Sequence, residues 1–476
     1  MDSTPITNNI FERVNAWIQE SIMIKLVSIG FLVIILLIPS AWIQDLIMER
    51  QQRADEAMTE VASKWSGSQT VSGPVLVIPF RKQEIIDRGK DGKEIKERIE
   101  RAYFLPNELN IKGEVKPTVL HRGIFDAVVY GSTLNIQSSF IQPDFKSLNI
   151  AEDQVLWSDA FLTFGITDLR GISENPVFNA GGNALTAEPA NNLGISYSRN
   201  EDKATYTTET EAHYSNFSSS GIIAKLNWQN KDSFNGDISL NLSLKGSKQL
   251  NFVPAGKTTT AELSGAWHDP SFNGEFLPEA RKITDNGFTA TWKVLHFNRP
   301  FSQQWVEQDQ YLGGSEFGVK LLIPVDQYQM SMRTSKYGAL IILLTFIALF
   351  MVEITQKIRI HPFQYILIGA ALTIYYTLLL SFSEHFGYNV SYLIASIATV
   401  ILISAYSSSF LRSSKLVMIF TSVLVVFYTF IYVIIQQQDF SLLIGSIGLF
   451  FIISILMYFS RKINWYQAPV QNELKA

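Results

Sequence analysis

Residues 26–43 read LVSIGFLVIILLIPSAWI, 18 positions without a charge. At about 1.5 Å per residue such a helix covers about 27 Å, close to the ~30 Å hydrocarbon core of a bilayer, so the run predicts a membrane-spanning helix. Trp17 and Trp42 lie near its two ends, where an indole keeps its ring in the interface and its N–H in water. A secretory signal peptide is the competing reading. The flank carries only Arg13 and Lys25, however, and Pro39-Ser40-Ala41-Trp42-Ile43-Gln44 gives no small-x-small cleavage pattern, which favours an uncleaved anchor. Pro39 has no amide hydrogen and crowds the carbonyl of Ile35, which favours a kink late in the helix.

Nothing comparable follows until Tyr337, after which apolar runs recur at Tyr337–Ile354, Tyr365–Phe382, Ser391–Tyr406, Leu416–Ile435 and Ser441–Phe459. They read as five more spans, with connections short enough to make neighbouring helices antiparallel. Basic residues in short loops stay on the cytoplasmic side. Lys357 and Arg359, Arg412 and Lys415, and Arg461 and Lys462 fall in alternate connections or the C-terminal tail, whereas Ser383–Val390 and Gln436–Phe440 carry no Lys or Arg. This parity predicts a cytoplasmic N-terminus at 1–21, a first transmembrane helix at 22–44, an extracytoplasmic segment at 45–336, five transmembrane helices at 337–460 and a cytoplasmic tail at 461–476.

The long segment between the anchors holds 30 basic and 36 acidic residues, a balance of −6 against −4 for the whole chain, and reads as a water-soluble domain. Ile47, Ala54, Met58, Val61 and Trp65 recur at helical spacing, so the first helix is expected to continue as an amphipathic stalk until Gly67 and Gly73-Pro74 stop it. Beyond it the period becomes two. Ile238, Leu240, Leu242 and Leu244 alternate with polar residues, as do Phe288, Ala290, Trp292 and Val294. Turn residues at Asp91-Gly92, Asn235-Gly236, Asn273-Gly274 and Asn286-Gly287 punctuate these runs. Gly181-Gly182-Asn183 and Ser196–Thr210 read as long loops. The fold class expected is a membrane protein of α + β type: a six-helix transmembrane bundle, one helix N-terminal and five C-terminal, with a large antiparallel β-rich extracytoplasmic domain. A β-sandwich or a pair of sheets, in one two-layer domain or two tandem ones, fits the pattern.

Composition narrows the function classes. Of 476 residues 47% are hydrophobic and only 17% charged, where soluble domains have about 25% charged, so lipid is a partner. With 39 basic and 43 acidic residues no basic surface stands out, and nucleic acid is not an expected partner. The absence of cysteine excludes disulfides, thiolate metal sites and thiol nucleophiles. Gly313-Gly314-Ser315-Glu316-Phe317-Gly318-Val319-Lys320 is not a phosphate loop, because Val319 separates the last glycine from the lysine; it reads as a turn before a strand at Val319–Val325. No Gly-x-Ser-x-Gly pentad occurs, and His121, His213, His268, His296, His361 and His385 lack zinc-binding spacing. No enzyme, cofactor or metal is therefore expected.

Ionisable groups at helix ends carry the strongest site signal, because charge in hydrocarbon is costly. Glu353 ends the second span, Arg359 and His361 follow it, and Glu384 and His385 close the third. The plain interpretation is an i,i+4 pair of Glu353 with Lys357 and a solvated loop for Glu384 and His385. The functional one is a proton relay or a binding site. Small residues at Gly369, Ala371, Ala395, Ala398, Gly445 and Gly448 predict close helix contacts.

Several strings, taken together and in order, resemble the CreD family of bacterial inner-membrane proteins along the whole chain. In the outer segment they are Ser72-Gly73-Pro74-Val75-Leu76, Gly165-Ile166-Thr167-Asp168-Leu169-Arg170-Gly171, Leu244-Lys245-Gly246-Ser247, and His268-Asp269-Pro270-Ser271-Phe272 with Phe276-Leu277-Pro278-Glu279. Towards the membrane they are Phe317-Gly318-Val319-Lys320 leading to Pro324-Val325-Asp326, Arg333–Tyr337, His361-Pro362-Phe363-Gln364-Tyr365 and Leu380-Ser381-Phe382-Ser383-Glu384-His385. His268-Asp269-Pro270 departs from the family's His-Pro by one inserted residue. The resemblance implies an inner-membrane protein tied to cell-envelope integrity and, in some bacteria, to a two-component system responding to envelope or carbon-source conditions. It brings no catalytic residue with it.

The expectation is thus a non-enzymatic inner-membrane protein supporting envelope integrity or stress response, whose outer β domain binds an envelope protein or cell-wall component. A small-solute transporter or channel is the alternative, with Glu353, Arg359, Glu384 and His385 lining a path. A membrane-embedded enzyme is the third choice. A sensor kinase does not fit, because the cytoplasmic loops and tail are too short for a catalytic domain.

Overall fold

The apolar run at 26–43 belongs to a longer helix, α1, which spans Ile22–Trp65 without interruption and continues through Pro39. At about 1.5 Å per residue its 44 residues extend about 66 Å, more than a bilayer requires, so the stalk expected from the 47–65 periodicity is the same helix carried onward. The computed structural model describes residues 22–87, 93–191, 193–199, 217–218, 220–307, 310–321, 327–356, 358–411, 413–437 and 440–461. Trp17, Asp91-Gly92, Lys357, Arg412, Lys462, Pro324-Val325-Asp326 and most of Ser196–Thr210 lie outside them. The described residues fall into two compact units, one made of residues up to Arg53 with those after Val325, the other of Ala54–Pro324.

In the first unit α1 is joined by α2 (Gln327–Lys336), α3 (Gly338–Gln356), α4 (Pro362–Phe386), α5 (Tyr388–Ser407), α6 (Ser414–Gln436) and α7 (Ser441–Ser460). All but α2 are long and apolar enough to cross a membrane. Buried Ile29, Leu36, Ser40, Ile43 and Ile47 form one stripe along α1, at the spacing of a single helical face. Gly369 on α4 meets this stripe: a side chain there would run into Leu36, so the glycine sets how closely α1 approaches. Gly448 likewise leaves no room for a side chain beneath Phe430, and Ala395 is fully buried, whereas Ala398 is exposed. The short amphipathic α2 buries Tyr328, Ser331, Thr334 and Ser335 within this unit.

The connection expected at 383–390 is almost wholly helical. α4 runs to Phe386 and α5 begins at Tyr388, with only Gly387 between them at φ 72°. A positive φ at the helix end favours glycine, and it reverses the chain in one residue. Glu384 therefore sits in the last turn of α4 and not in a solvated loop.

The second unit contains two large sheets. One has nine strands, and its main path runs Pro270–Gly274, Phe317–Leu321, Gln249–Phe252, Gln69–Asp87, Phe161–Ile166, Gly221–Lys225, Ala187–Ala190. Lys93–Phe104 pairs with Gln69–Asp87 and carries Gln304–Val306 on its other side. The other has eight strands in the order Ala280–Thr284, Gly287–Leu295, Thr258–Gly265, Glu108–Arg122, Phe125–Ser139, Asp237–Ser247, Val177–Ala180, Asn183–Leu185. Pairing in these two sheets is antiparallel except between Gln69–Val71 and Leu250–Phe252 and between Thr258–Gly265 and Glu108–Val115.

The alternating runs behave as the pleat requires. Ile238, Leu240, Leu242 and Leu244 are buried, as are Phe288, Ala290, Trp292 and Val294, while their neighbours face outward. Apolar side chains from both sheets, among them Val75, Val77, Leu162, Leu109, Leu240 and Trp292, belong to one continuous core. The domain is thus a single two-layer body. Gly181 and Gly182 are not a long loop: with φ of 57° and 86° they form the two-residue turn of a hairpin in which Ala180 pairs with Asn183.

Candidate functional site: charge clusters along the first helix

Glu353 lies in the last turn of α3, where a carboxylate faces the negative end of the helix dipole and needs compensation. The compensation comes from Lys25 of α1, whose Nζ stands 2.6 Å from Oε1. Tyr365 of α4 donates its hydroxyl to Oε2 at 3.1 Å, and the backbone amide of Ile360 donates to Oε1 at 3.2 Å. With one cation, one phenol and one amide, the carboxylate is fully engaged although its side chain is only 4% exposed. The sequence offered Lys357 as the partner; the structure supplies a lysine 328 positions away.

Glu384, in the last turn of α4, has the same arrangement with different parts. Arg50 of α1 grips it through two hydrogen bonds, Nε to Oε1 at 2.7 Å and Nη2 to Oε2 at 2.6 Å, and Tyr328 of α2 donates to Oε1 at 3.0 Å. The side chain of Glu384 is 8% exposed, and the planar guanidinium matches both carboxylate oxygens at once. Lys25 and Arg50 lie about 37 Å apart along α1 at about 1.5 Å per residue, near the ~40 Å thickness of a bilayer with its headgroups. The Lys25 pair thus fastens the first helix to the bundle near its N-terminus, and the Arg50 pair fastens it just beyond the apolar run 26–43.

The remaining sequence candidates play other parts. His361 is the N-cap of α4: Nδ1 accepts the amide of Phe363 at 3.2 Å, while its own amide donates to Gln364 Oε1 at 3.0 Å, with Pro362 at the first helical position. Arg359 is exposed on the connection ahead of α4, and His385 is exposed beyond Glu384. The structure does not gather these five residues. Glu353 is reached from Tyr365, and Glu384 lies 19 residues further along the same α4, about 28 Å at about 1.5 Å per residue. Lys25, Arg50, Tyr328 and Tyr365 complete the two clusters and are not singled out by local spacing. The available signal was the charge of Lys25 and Arg50 at either side of the apolar run 26–43.

Within the β domain a third cluster surrounds the end of α1. The Arg170 guanidinium donates to the Ser63 carbonyl at 2.7 Å, placing a cation at the helix C-terminus, and pairs with Asp168 at 2.7 Å. Asp168 in turn accepts the Gly67 amide at 3.0 Å. Burial pushes the Asp168 carboxyl up, but Arg170 and the amides of Gly67 and Arg170 outweigh it and hold it at about 2. Gln69 Nε2 donates to Ser66 Oγ and to the carbonyls of Asp168 and Lys245 at 2.8–3.0 Å. Lys245 also lies 4.8 Å above the Trp65 ring, and Ser247 donates its amide to Gly67 at 3.1 Å. Two of the strings noted in the sequence, 165–171 and 244–247, thus converge on one joint between helix and sheet.

Among the described residues no group of three or more His, Asp and Glu converges as metal ligands. The three clusters join carboxylates to cations and amides, an arrangement suited to fixing a helix in place. The family model described as "Inner membrane protein CreD" matches residues 21–466. The Inner membrane protein CreD of Escherichia coli (strain K12) is 28% identical over 445 residues, 93% of each chain. Among the described residues six helices are long and apolar enough to cross a bilayer, one before the β domain and five after it. The chain belongs to the CreD family and is a multi-pass inner-membrane protein whose β domain is periplasmic.

Proposed function

We propose that the periplasmic β domain is a binding module for an envelope protein or cell-wall component, and that the helical bundle holds it at the membrane in support of envelope integrity and stress response. In this reading residues 1–21 and 461–476 are cytoplasmic, 22–44 and 337–460 hold the transmembrane helices, and 45–336 forms the stalk and β domain. Glu353 and Glu384 act as fasteners of α1, with His361 starting α4; Arg359 and His385 remain the exposed candidates beside them. The observation that carries the proposal is the size and single core of the outer unit, Ala54–Pro324, beside helices whose described connections are too short to fold. The outward face of the eight-stranded sheet supports it. Lys112, Glu114, Asn135, Glu262, Ser264 and Lys282 line two adjoining shallow depressions there, rich in donors and acceptors.

A photo-crosslinker placed in intact cells at Lys112, Glu262 or Lys282 tests this. The expected result is one envelope component captured from all three positions and absent from a control crosslinker at lipid-facing Ile453. Capture no greater than the control at all three would overturn the proposal.

A further inference from the structure

A second polar feature of the bundle lies away from the charge pairs. Tyr375 packs its ring against those of Tyr376 and Tyr428, each at 4.9 Å between centroids, and of Tyr392 at 6.0 Å. Tyr392 continues the contact to Tyr388 at 5.9 Å and to Tyr432 at 5.1 Å. Six phenols from α4, α5 and α6 thus meet in the half of the bundle that contains the α4–α5 turn. Three hydroxyls find protein partners directly: Tyr388 shares a hydrogen bond with Thr334 at 2.6 Å, Tyr392 donates to the Tyr428 carbonyl at 2.7 Å, and Tyr432 donates to Asn389. The hydroxyls of Tyr375, Tyr376 and Tyr428 have no hydrogen-bond partner among the described residues, although none of the three residues is more than 3% exposed.

We propose that ordered water occupies this tyrosine cluster, bound by the Tyr376 and Tyr428 hydroxyls. Buried hydroxyls are almost always hydrogen-bonded, and one that finds no protein group is satisfied by internal water. Polar groups connect the cluster to the surface: Tyr432 donates to Asn389 at 3.4 Å, Gln436 donates to the same Asn389 oxygen at 2.5 Å, and Asn389 is exposed in the first turn of α5. That turn lies on the periplasmic side, since α4 and α5 meet at the face opposite the basic connections. One and two turns further along α6 from Tyr428 stand Leu424 and Phe420, both fully buried, so the hydrated site ends there in an apolar layer. The site is independent of what the outer domain binds.

Hydroxyl-radical labelling of the full chain in lipid nanodiscs tests this, because radicals form from the water that is present. Tyr376 and Tyr428 are expected to be labelled several-fold faster than Phe346 and Phe420, aromatic rings that are equally buried. Labelling of both tyrosines at the rate of those phenylalanines would overturn the proposal. Replacing Tyr428→Phe is expected to lower labelling at Tyr376 severalfold, and the reciprocal Tyr376→Phe to lower it at Tyr428. Unchanged labelling in both variants would overturn the shared site.

Discussion

Arg50 and Glu384, 334 positions apart in the chain, are joined by two parallel hydrogen bonds of 2.7 and 2.6 Å. The geometry is bidentate, and the acid is almost fully buried while the base is about a quarter exposed. Neutralising one member leaves the other charged and poorly hydrated, at a cost of about 3 kcal/mol. Arg50→Ala and Glu384→Ala are each expected to lower the unfolding temperature of the full chain in detergent. The exchanged pair R50E/E384R is expected to recover part of that loss, which a double-mutant cycle measures.

Near the N-terminus of α1, Glu353 collects Lys25, Tyr365 and the Ile360 amide. Tyr365→Phe removes one hydrogen bond and is expected to cost about 1 kcal/mol, whereas Glu353→Leu strands the Lys25 ammonium and is expected to cost about 3 kcal/mol. Thermal unfolding in the same detergent ranks the two.

Asp168 gives the β domain a defined acid response. Its folded carboxyl is held at about 2, below the ordinary value of 3.8, so its contribution to stability is fully present above that ordinary value and is lost as pH falls towards 2. The full chain is expected to lose stability on acidification from pH ~4 to ~2 by more than a D168N variant does. Chemical denaturation followed by the tryptophan fluorescence of both proteins measures the difference, and identical slopes would refute it.

Gly369 sits where Leu36 of α1 and Phe346 of α3 close on α4. A larger residue has to push α1 away, so Gly369→Val is expected to destabilise the bundle by about 1–3 kcal/mol. Gly30 faces open space, where an added methyl group would meet nothing within 4 Å, and it is the matched control: Gly30→Ala is expected to be neutral or mildly stabilising. Unfolding of both variants in the same detergent measures the contrast.

Much of the architecture was legible because it follows from properties local to one element. The runs beginning at Leu26, Tyr337, Tyr365, Ser391, Leu416 and Ser441 all lie in helices whose ends fall within a few residues of the expected ones, α1 excepted, which runs on as the stalk. The alternation at Ile238–Leu244 and Phe288–Val294 foretold strands with one buried face. Misreadings arose where neighbours in space decide. The polar composition of 383–390 suggested a loop, yet Glu384 remains helical because Arg50 and Tyr328 satisfy it. Nor does spacing show that Tyr328 and Thr334 of α2 find their partners on α4 and α5.

By itself the sequence determined the number of spans, their alternation across the membrane and the β character of the segment between them. Hydropathy and side-chain period are set by residues adjacent along one helix or strand, so they survive reading in one dimension. Only the tertiary structure decided that Lys25 meets Glu353, that both sheets share one core and that six tyrosines converge inside the bundle. Those depend on which faces pack together, and no spacing within a single element records that choice.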